Sequence, residues 1–270
     1  MSYREAQPSP PLRTIIDRYW CVEYDGVSDA PPEPVLPDGC PEIVFNLADR
    51  FQKIPTYGDV ETQAAAIVSG QLRKRIVIRP TGRVSLFGVR FRPHAAFGFL
   101  GVAMISLTDH VVPLSDVVGG LSEEIEALVA EADSFEARIA IIERLLTDRL
   151  DFGNSETAIA GGAVGMISDS GGRISVRELV DRSGVGERRL ERLFAKHVGI
   201  SPKMFARVIR FTGVVRSMEA ADSFGLLDAA LSFGYYDQSH MIHEFNEFAG
   251  SSPLQYFDAT HRLSELFTSG

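Results

Sequence analysis

A chain of 270 residues can hold two domains with cores of their own. With 45% hydrophobic and 23% charged residues, no apolar run of membrane-spanning length and no N-terminal signal pattern, it reads as a cytoplasmic globular protein without a membrane partner. The net charge of −9 argues against nucleic acid in bulk, and two cysteines, Cys21 and Cys40, suggest reduced thiols rather than a disulfide framework.

In chain order, residues 1–11 read as a loose, proline-containing lead-in. Ile15–Tyr24 is aromatic and β-branched and predicts a strand carrying the single tryptophan, Trp20. Ala30–Pro34 reads as a proline-rich turn, and Val35–Asn46 as strand, Asp38-Gly39 turn, strand. Ala64–Gly70, Arg75–Pro80 and Val84–Phe91 predict further strands, with Thr81-Gly82 as a hairpin turn. A short helix over His94–Leu100 closes one side. Ser122–Ala132 predicts a helix, and Asp133 and Glu136 can cap the next, whose stripe is Phe135, Ile139, Ile142 and Leu146. That stripe suits local core better than a dimer seam. The pattern breaks around Asp151–Glu156, so residues 1–152 are predicted to form a β-rich, barrel-like regulatory or dimerisation domain, and 153–270 an all-α domain opened by a helix over Thr157–Ile167.

One pattern then occurs twice. Phe194, Gly199, Ser201-Pro202 and Phe205 recur 51 residues later as Phe245, Gly250, Ser252-Pro253 and Tyr256. Ser175 and Glu178 make a capping box, Gly184 and Gly186 flank a turn, and Leu190, Leu193, Phe194 and Val198 form a helical stripe. Arg188, Arg192 and Lys196 fall on that helix's other face. In the second copy Leu226–Phe233 predicts a short helix stopped by Gly234. From Asp237 a longer helix buries Met241, Ile242, Phe245 and Phe248, and presents Ser239, His240, His243, Asn246 and Glu247. A short helix behind a longer, polar-faced one is a helix-turn-helix. Local charge agrees: residues 168–216 carry 11 basic and 5 acidic side chains, against 15 and 23 in residues 1–167.

At Leu179, Gly184, Arg188-Arg189-Leu190, Arg192, Phe194, Gly199, Ser201-Pro202, Gly234-Tyr235, Asp237-Gln238-Ser239, Phe245, Gly250 and Pro253, the chain resembles the AraC/XylS family of bacterial transcription regulators. The resemblance implies an α+β protein with two helix-turn-helix units joined by a long helix over Pro202–Met218. Its recognition helices would enter adjacent major-groove segments about 34 Å apart. Carried over, the DNA-binding positions are Arg188, Arg189, Glu191, Arg192 and Lys196 in the first unit, and Gln238, Ser239, His240 and His243 in the second. The family usually has Arg where this chain has His243. The second recognition helix also carries Glu244 and Glu247 and no Lys or Arg, so the first is expected to dominate attraction to DNA. Leu36–Phe45, Phe87–Pro93 and Leu107–Leu114 resemble the N-terminal domain of one subgroup of that family.

These readings predict a sequence-specific regulator of promoter DNA. Its expected partners are a small-molecule effector, RNA polymerase and a second copy of itself. Trp20, Tyr24, Phe45, Phe87 and Phe91 either line an effector pocket or fill it. The alternatives are a constitutive binder whose N-terminal domain only dimerises, and an enzyme fused to a DNA-binding module. Neither metal nor cofactor is expected. His240-Met-Ile-His243-Glu244 lacks metalloprotease spacing, His94 and His110 form no ligand cluster, and Cys40 has no zinc-site companions.

Overall fold

A computed structural model describes residues 1–25, 31–149, 155–219 and 230–258. The first part contains two sheets rather than a closed barrel. Sheet one runs β1 (Ser2–Ala6), β2 (Ile16–Tyr24), β9 (Val84–Phe91), β4 (Glu42–Asn46), β7 (Ala66–Ser69), β10 (Val111–Pro113). Sheet two runs β3 (Glu33–Val35), β8 (Ile76–Arg79), β5 (Gln52–Lys53), β6 (Glu61–Thr62). The lead-in is therefore a strand: β1 adds antiparallel to β2, with Ser2 opposite Glu23 and Ala6 opposite Tyr19. Its polar residues suit an edge, where one side of the ladder stays open to water.

Neither predicted hairpin turn joins paired strands. β3 pairs with β8 and β4 with β7 and β9, so Asp38-Gly39 carries the chain from one sheet to the other, and Thr81-Gly82 carries it back between β8 and β9. Turn chemistry marks a reversal but does not name the strand's partner.

The period of two in sheet one separates its faces. Tyr19, Ile43, Phe45, Phe87, Val89 and Phe91 point to one side and pack under four helices: α1 (Ala96–Leu100), α2 (Ser115–Val118), α3 (Leu121–Glu131) and α4 (Phe135–Arg149). Phe135, Ile142 and Leu146 are buried there, so the α4 stripe is core. Full burial of each such side chain stabilises the fold by about 1.5–3 kcal/mol. The α4 cap is Ser134, whose hydroxyl accepts from the Ala137 amide at 3.2 Å, rather than Asp133. Trp20, Val22, Val84 and Leu86 point the other way, towards Phe51 and Ile78 between the sheets.

The second part is helical: α5 (Ser155–Asp169), α6 (Val176–Ser183), α7 (Glu187–His197), α8 (Pro202–Glu219), α9 (Gln238–Ala249) and α10 (Pro253–Asp258). Capping is as the sequence dictates. Ser175 accepts from the Glu178 amide at 3.1 Å, Ser201 from Met204 at 3.2 Å and Asp237 from His240 at 2.7 Å. Leu190, Phe194, Phe205, Phe211, Phe245 and Phe248 share one core across both units. The break expected near Asp151 falls at the edge of the undescribed residues 150–154. The start of the helix expected from Leu226 also lies outside the described residues, although Ala230–Ser232 are helical.

Candidate DNA interface and effector cavity

Amphipathicity builds the first recognition helix. Leu190, Leu193 and Phe194 are buried, which leaves Arg188, Arg189 and Arg192 exposed on the opposite side of α7. None of the three makes an ion pair with a described residue, although the charge of Arg192 is felt by Glu156 of α5. Glu191 is half-buried, and burial followed by the charge of Glu187 raises its pKa. Lys196 departs from the expectation. It turns away from the arginine face, bonds Glu156 of α5 at 2.7 Å and lies 4.8 Å above the Phe97 ring of α1. It follows Arg192 by one turn, but the first part of the chain packs against that end of the helix.

In the second unit Ser239, His240 and His243 are exposed on α9 and Gln238 is half-buried. Glu244 does not face outward: it is 3% exposed, 2.6 Å from Nε of Arg207 and 3.5 Å from Nη2 of Arg210. Glu247 meets Nη2 of Arg207 at 2.6 Å. The linking helix α8 thus supplies the cations that α9 lacks, and the expected acidic repulsion is largely offset inside the domain. A groove runs between α6, α8 and α9, lined by Arg173, Lys203, Arg207, Arg210, His240 and His243 with Glu244 and Glu247. The sequence signal for those α8 residues was the basic stretch 168–216; their pairing with α9 depends on the helix crossing and has no local signature.

The first part grips both units at corresponding turns. Gly199 ends the turn after α7 with φ +100°, and a Cβ there would come within 2.9 Å of the Met104 carbonyl oxygen. Its own carbonyl accepts from the Thr108 hydroxyl at 2.6 Å. Gly250, its repeat partner, ends α9 with φ +69°, and a Cβ would meet Arg75 at 2.5 Å. The Arg75 amide donates to the Phe248 carbonyl at 2.8 Å. Between these turns, Leu36 sits in the core of the helical part, Gly39 lies against Phe205, and the Pro37 carbonyl accepts from Thr212 of α8 at 3.5 Å. Half-buried His94 faces Gly161 of α5. Burial first, then Arg92 and His197, lowers its pKa to about 4.

Between the two sheets lies a cavity of about 70 Å³. Its apolar wall comes from Trp20, Val35, Leu36, Val44, Phe51, Ile67, Leu72, Ile76, Ile78, Leu86 and Val111. Its polar wall comes from Asp38, Cys40, Glu42, Asn46, Gln63 and Ser69. Of the five aromatics considered for a pocket, Trp20 lines it. Tyr24 packs at the edge of the same sandwich, whereas Phe45, Phe87 and Phe91 belong to the opposite face and fill the core beneath the helices. Asp38, Glu42 and Asn46 were not singled out from the sequence, although Glu42-x-Val44-x-Asn46 on one strand face is the alternation that exposes them.

Arg90 is buried beside the cavity, with Nη1 2.6 Å from Asp38 and 2.7 Å from Glu42, and Nε 3.7 Å from Asp17. These carboxylates hold the guanidinium firmly charged against the cost of burial. Burial raises the pKa of Glu42 and pushes the Cys40 thiol up to about 12, so Cys40 is a poor nucleophile. Among the described residues no three His, Cys, Asp or Glu side chains converge as metal ligands, and no helix is long and apolar enough to cross a membrane.

A helix-turn-helix formed by α6 and α7, with exposed arginines on its outward face, and α9 repeating its second helix on the same core are the features of a DNA-binding transcription regulator. The family described as a helix-turn-helix domain matches residues 179–259, and that described as a domain of unknown function (DUF6597) matches residues 4–113. No curated protein matches the chain. ToxT from Vibrio cholerae is 10% identical, with a TM-score of 0.50 over 89% of this chain and 98% of that one. ToxT from Vibrio cholerae O395 bound to (E)-4-(8-methylnaphthalen-1-yl)but-3-enoic acid is 11% identical, with a TM-score of 0.48 over 93% and 99%. The AraC-like transcriptional activator CuxR is 12% identical, with a TM-score of 0.27 over 82% and 96%. The C-terminal part matches a helix-turn-helix domain family, and the chain shares with ToxT a two-part fold, β-rich first and helical second.

Proposed function

We propose that residues 153–270 bind promoter DNA through both helix-turn-helix units, and that residues 1–152 control this binding in response to a small-molecule effector held between the sheets. Arg188, Arg189 and Arg192 supply the basic face of the first unit. Gln238, Ser239, His240 and His243 supply hydrogen-bonding groups on the second. No catalytic step is part of this reading.

One observation carries the effector reading: a single loop belongs to both places. Leu36, Asp38 and Cys40 wall the cavity, while Leu36, Pro37 and Gly39 pack on α8, the helix joining the two units. Occupying the cavity shifts the loop's contacts, and α8 then changes how the recognition helices are presented together. The alternative of an N-terminal part that only dimerises gives that loop no reason to face a cavity.

The test is fluorescence anisotropy of the full chain on a duplex selected from random DNA, with and without small molecules that raise its melting temperature. Effector control predicts a change in affinity of at least several-fold on binding, within the usual 1–3 kcal/mol of coupling. Thr212→Val, which removes the bond from α8 to the Pro37 carbonyl and lies outside the cavity, should reduce that change while leaving ligand binding in place. A ligand that saturates the cavity and leaves affinity untouched contradicts effector control.

A further inference from the structure

The cavity's polar wall combines two carboxylates and an amide oxygen with the Trp20 indole, the Gln63 amide and the Ser69 hydroxyl. Asn46 is 5% exposed and lines the cavity on the same strand face as Glu42 and Val44. Its amide orientation is fixed because Nδ2 donates to the Ala64 carbonyl at 3.0 Å. The Oδ1 atom is therefore an acceptor, and it is buried without a donor from any described residue. A buried acceptor left unpaired destabilises the fold, and a donor arriving with a ligand recovers that loss. Asp38 and Glu42 add carboxylates to the same wall, and Ser69 adds a hydroxyl. Among the described residues no Lys, Arg or His lines the cavity. Arg90, which offsets the two carboxylates, stands behind them as their ion-pair partner. A carboxylate ligand brought here would lie beside two like charges with no cation lining the space, the arrangement by which a site rejects a wrong partner.

We infer that the cavity selects a compact, largely apolar molecule headed by a hydrogen-bond donor, an alcohol or a primary amine, and discriminates against carboxylic acids. The head group meets the Asn46 Oδ1 acceptor and the carboxylate wall, and the stem lies against Ile67, Leu72, Ile78 and Leu86. This rests on the effector reading above and adds the chemistry of the ligand to it. The volume of about 70 Å³ sets the scale of a short stem rather than a long acyl chain, since one water in such a space needs about 10–15 Å³.

The experiment titrates the full chain with 1-butanol, n-butylammonium and butyrate, one stem with three heads, at constant ionic strength. Thermal shift and isothermal calorimetry are the readouts. The donor-headed pair should raise the melting temperature saturably, with butyrate weaker by on the order of tenfold or more. Asn46→Leu should weaken the donor-headed ligands. Because it also removes the bond to Ala64, Ile78→Phe serves as a second variant that fills the cavity from the other sheet and should abolish binding. Butyrate binding as tightly as the others, and lost in Ile78→Phe, overturns the donor rule and leaves effector control standing. Binding of the donor-headed ligands that survives Ile78→Phe places them elsewhere and overturns the inference. Binding by none of the three overturns the donor rule and the effector reading of this cavity together.

Discussion

The hydroxyl of Thr108 donates to the carbonyl of Gly199 at 2.6 Å, joining a loop of the β-rich part to the turn that ends the first recognition helix. Both residues are buried. Thr108→Val keeps the shape and removes the donor, leaving the carbonyl without it. A loss of about 1–3 kcal/mol in unfolding free energy is expected, read from urea denaturation. Gly199→Ala should cost more. It adds the strain of a left-handed backbone to a Cβ within 2.9 Å of the Met104 carbonyl oxygen. An alanine variant as stable as the parent would mean that this turn is not clamped.

Arg192 and Lys196 lie one turn apart on α7 and should behave differently. Arg192→Ala is expected to lower specific affinity by about 1–3 kcal/mol, roughly ten- to a hundred-fold. Lys196→Ala removes an ion pair with Glu156 and a cation held over Phe97, so its effect should fall mainly on the melting temperature. Anisotropy and thermal denaturation of the two variants separate the roles. Equal losses of DNA affinity would return Lys196 to the DNA face.

Much of the DNA-binding part was legible because its signals are local. Three caps and the apolar stripes of α7 and α9 each depend on residues within a few turns of one another, and the 51-residue repeat copies that local pattern. What was less legible has the opposite cause. Lys196 and Glu244 have the spacing of outward residues, but Phe97 and Arg207, far away in sequence, decide where they go. Two-residue periodicity likewise assigned faces to β4 and β9 without saying which strands they pair with. The cavity wall of Asp38, Glu42 and Asn46 arises only when two sheets meet.

Acid should loosen the contact between the two parts. The fold holds His94 neutral with a pKa of about 4, against about 6.5 when unfolded. Its contribution is therefore fully present above about pH 6.5 and is lost as pH falls towards 4. His197, which is buried, has its pKa lowered first by burial and then by Lys196, with Glu156 opposing, and adds in the same direction. From pH 7 to 5 the His94 share is about 2 kcal/mol. His94→Gln should flatten the stability profile between pH 6.5 and 5, before most carboxylates titrate. A variant with the parent's slope would assign acid sensitivity to other groups.

Hydroxyl-radical footprinting of the full chain on a duplex selected from random sequence tests the central claim most directly. Two recognition helices acting together predict two protected patches on one face of the DNA, centred about ten base pairs apart. Arg192→Ala should weaken one patch, and a Gln238→Ala, Ser239→Ala double variant the other. A single patch indifferent to the second pair, or uniform protection unaffected by Arg192→Ala, would contradict binding through both units.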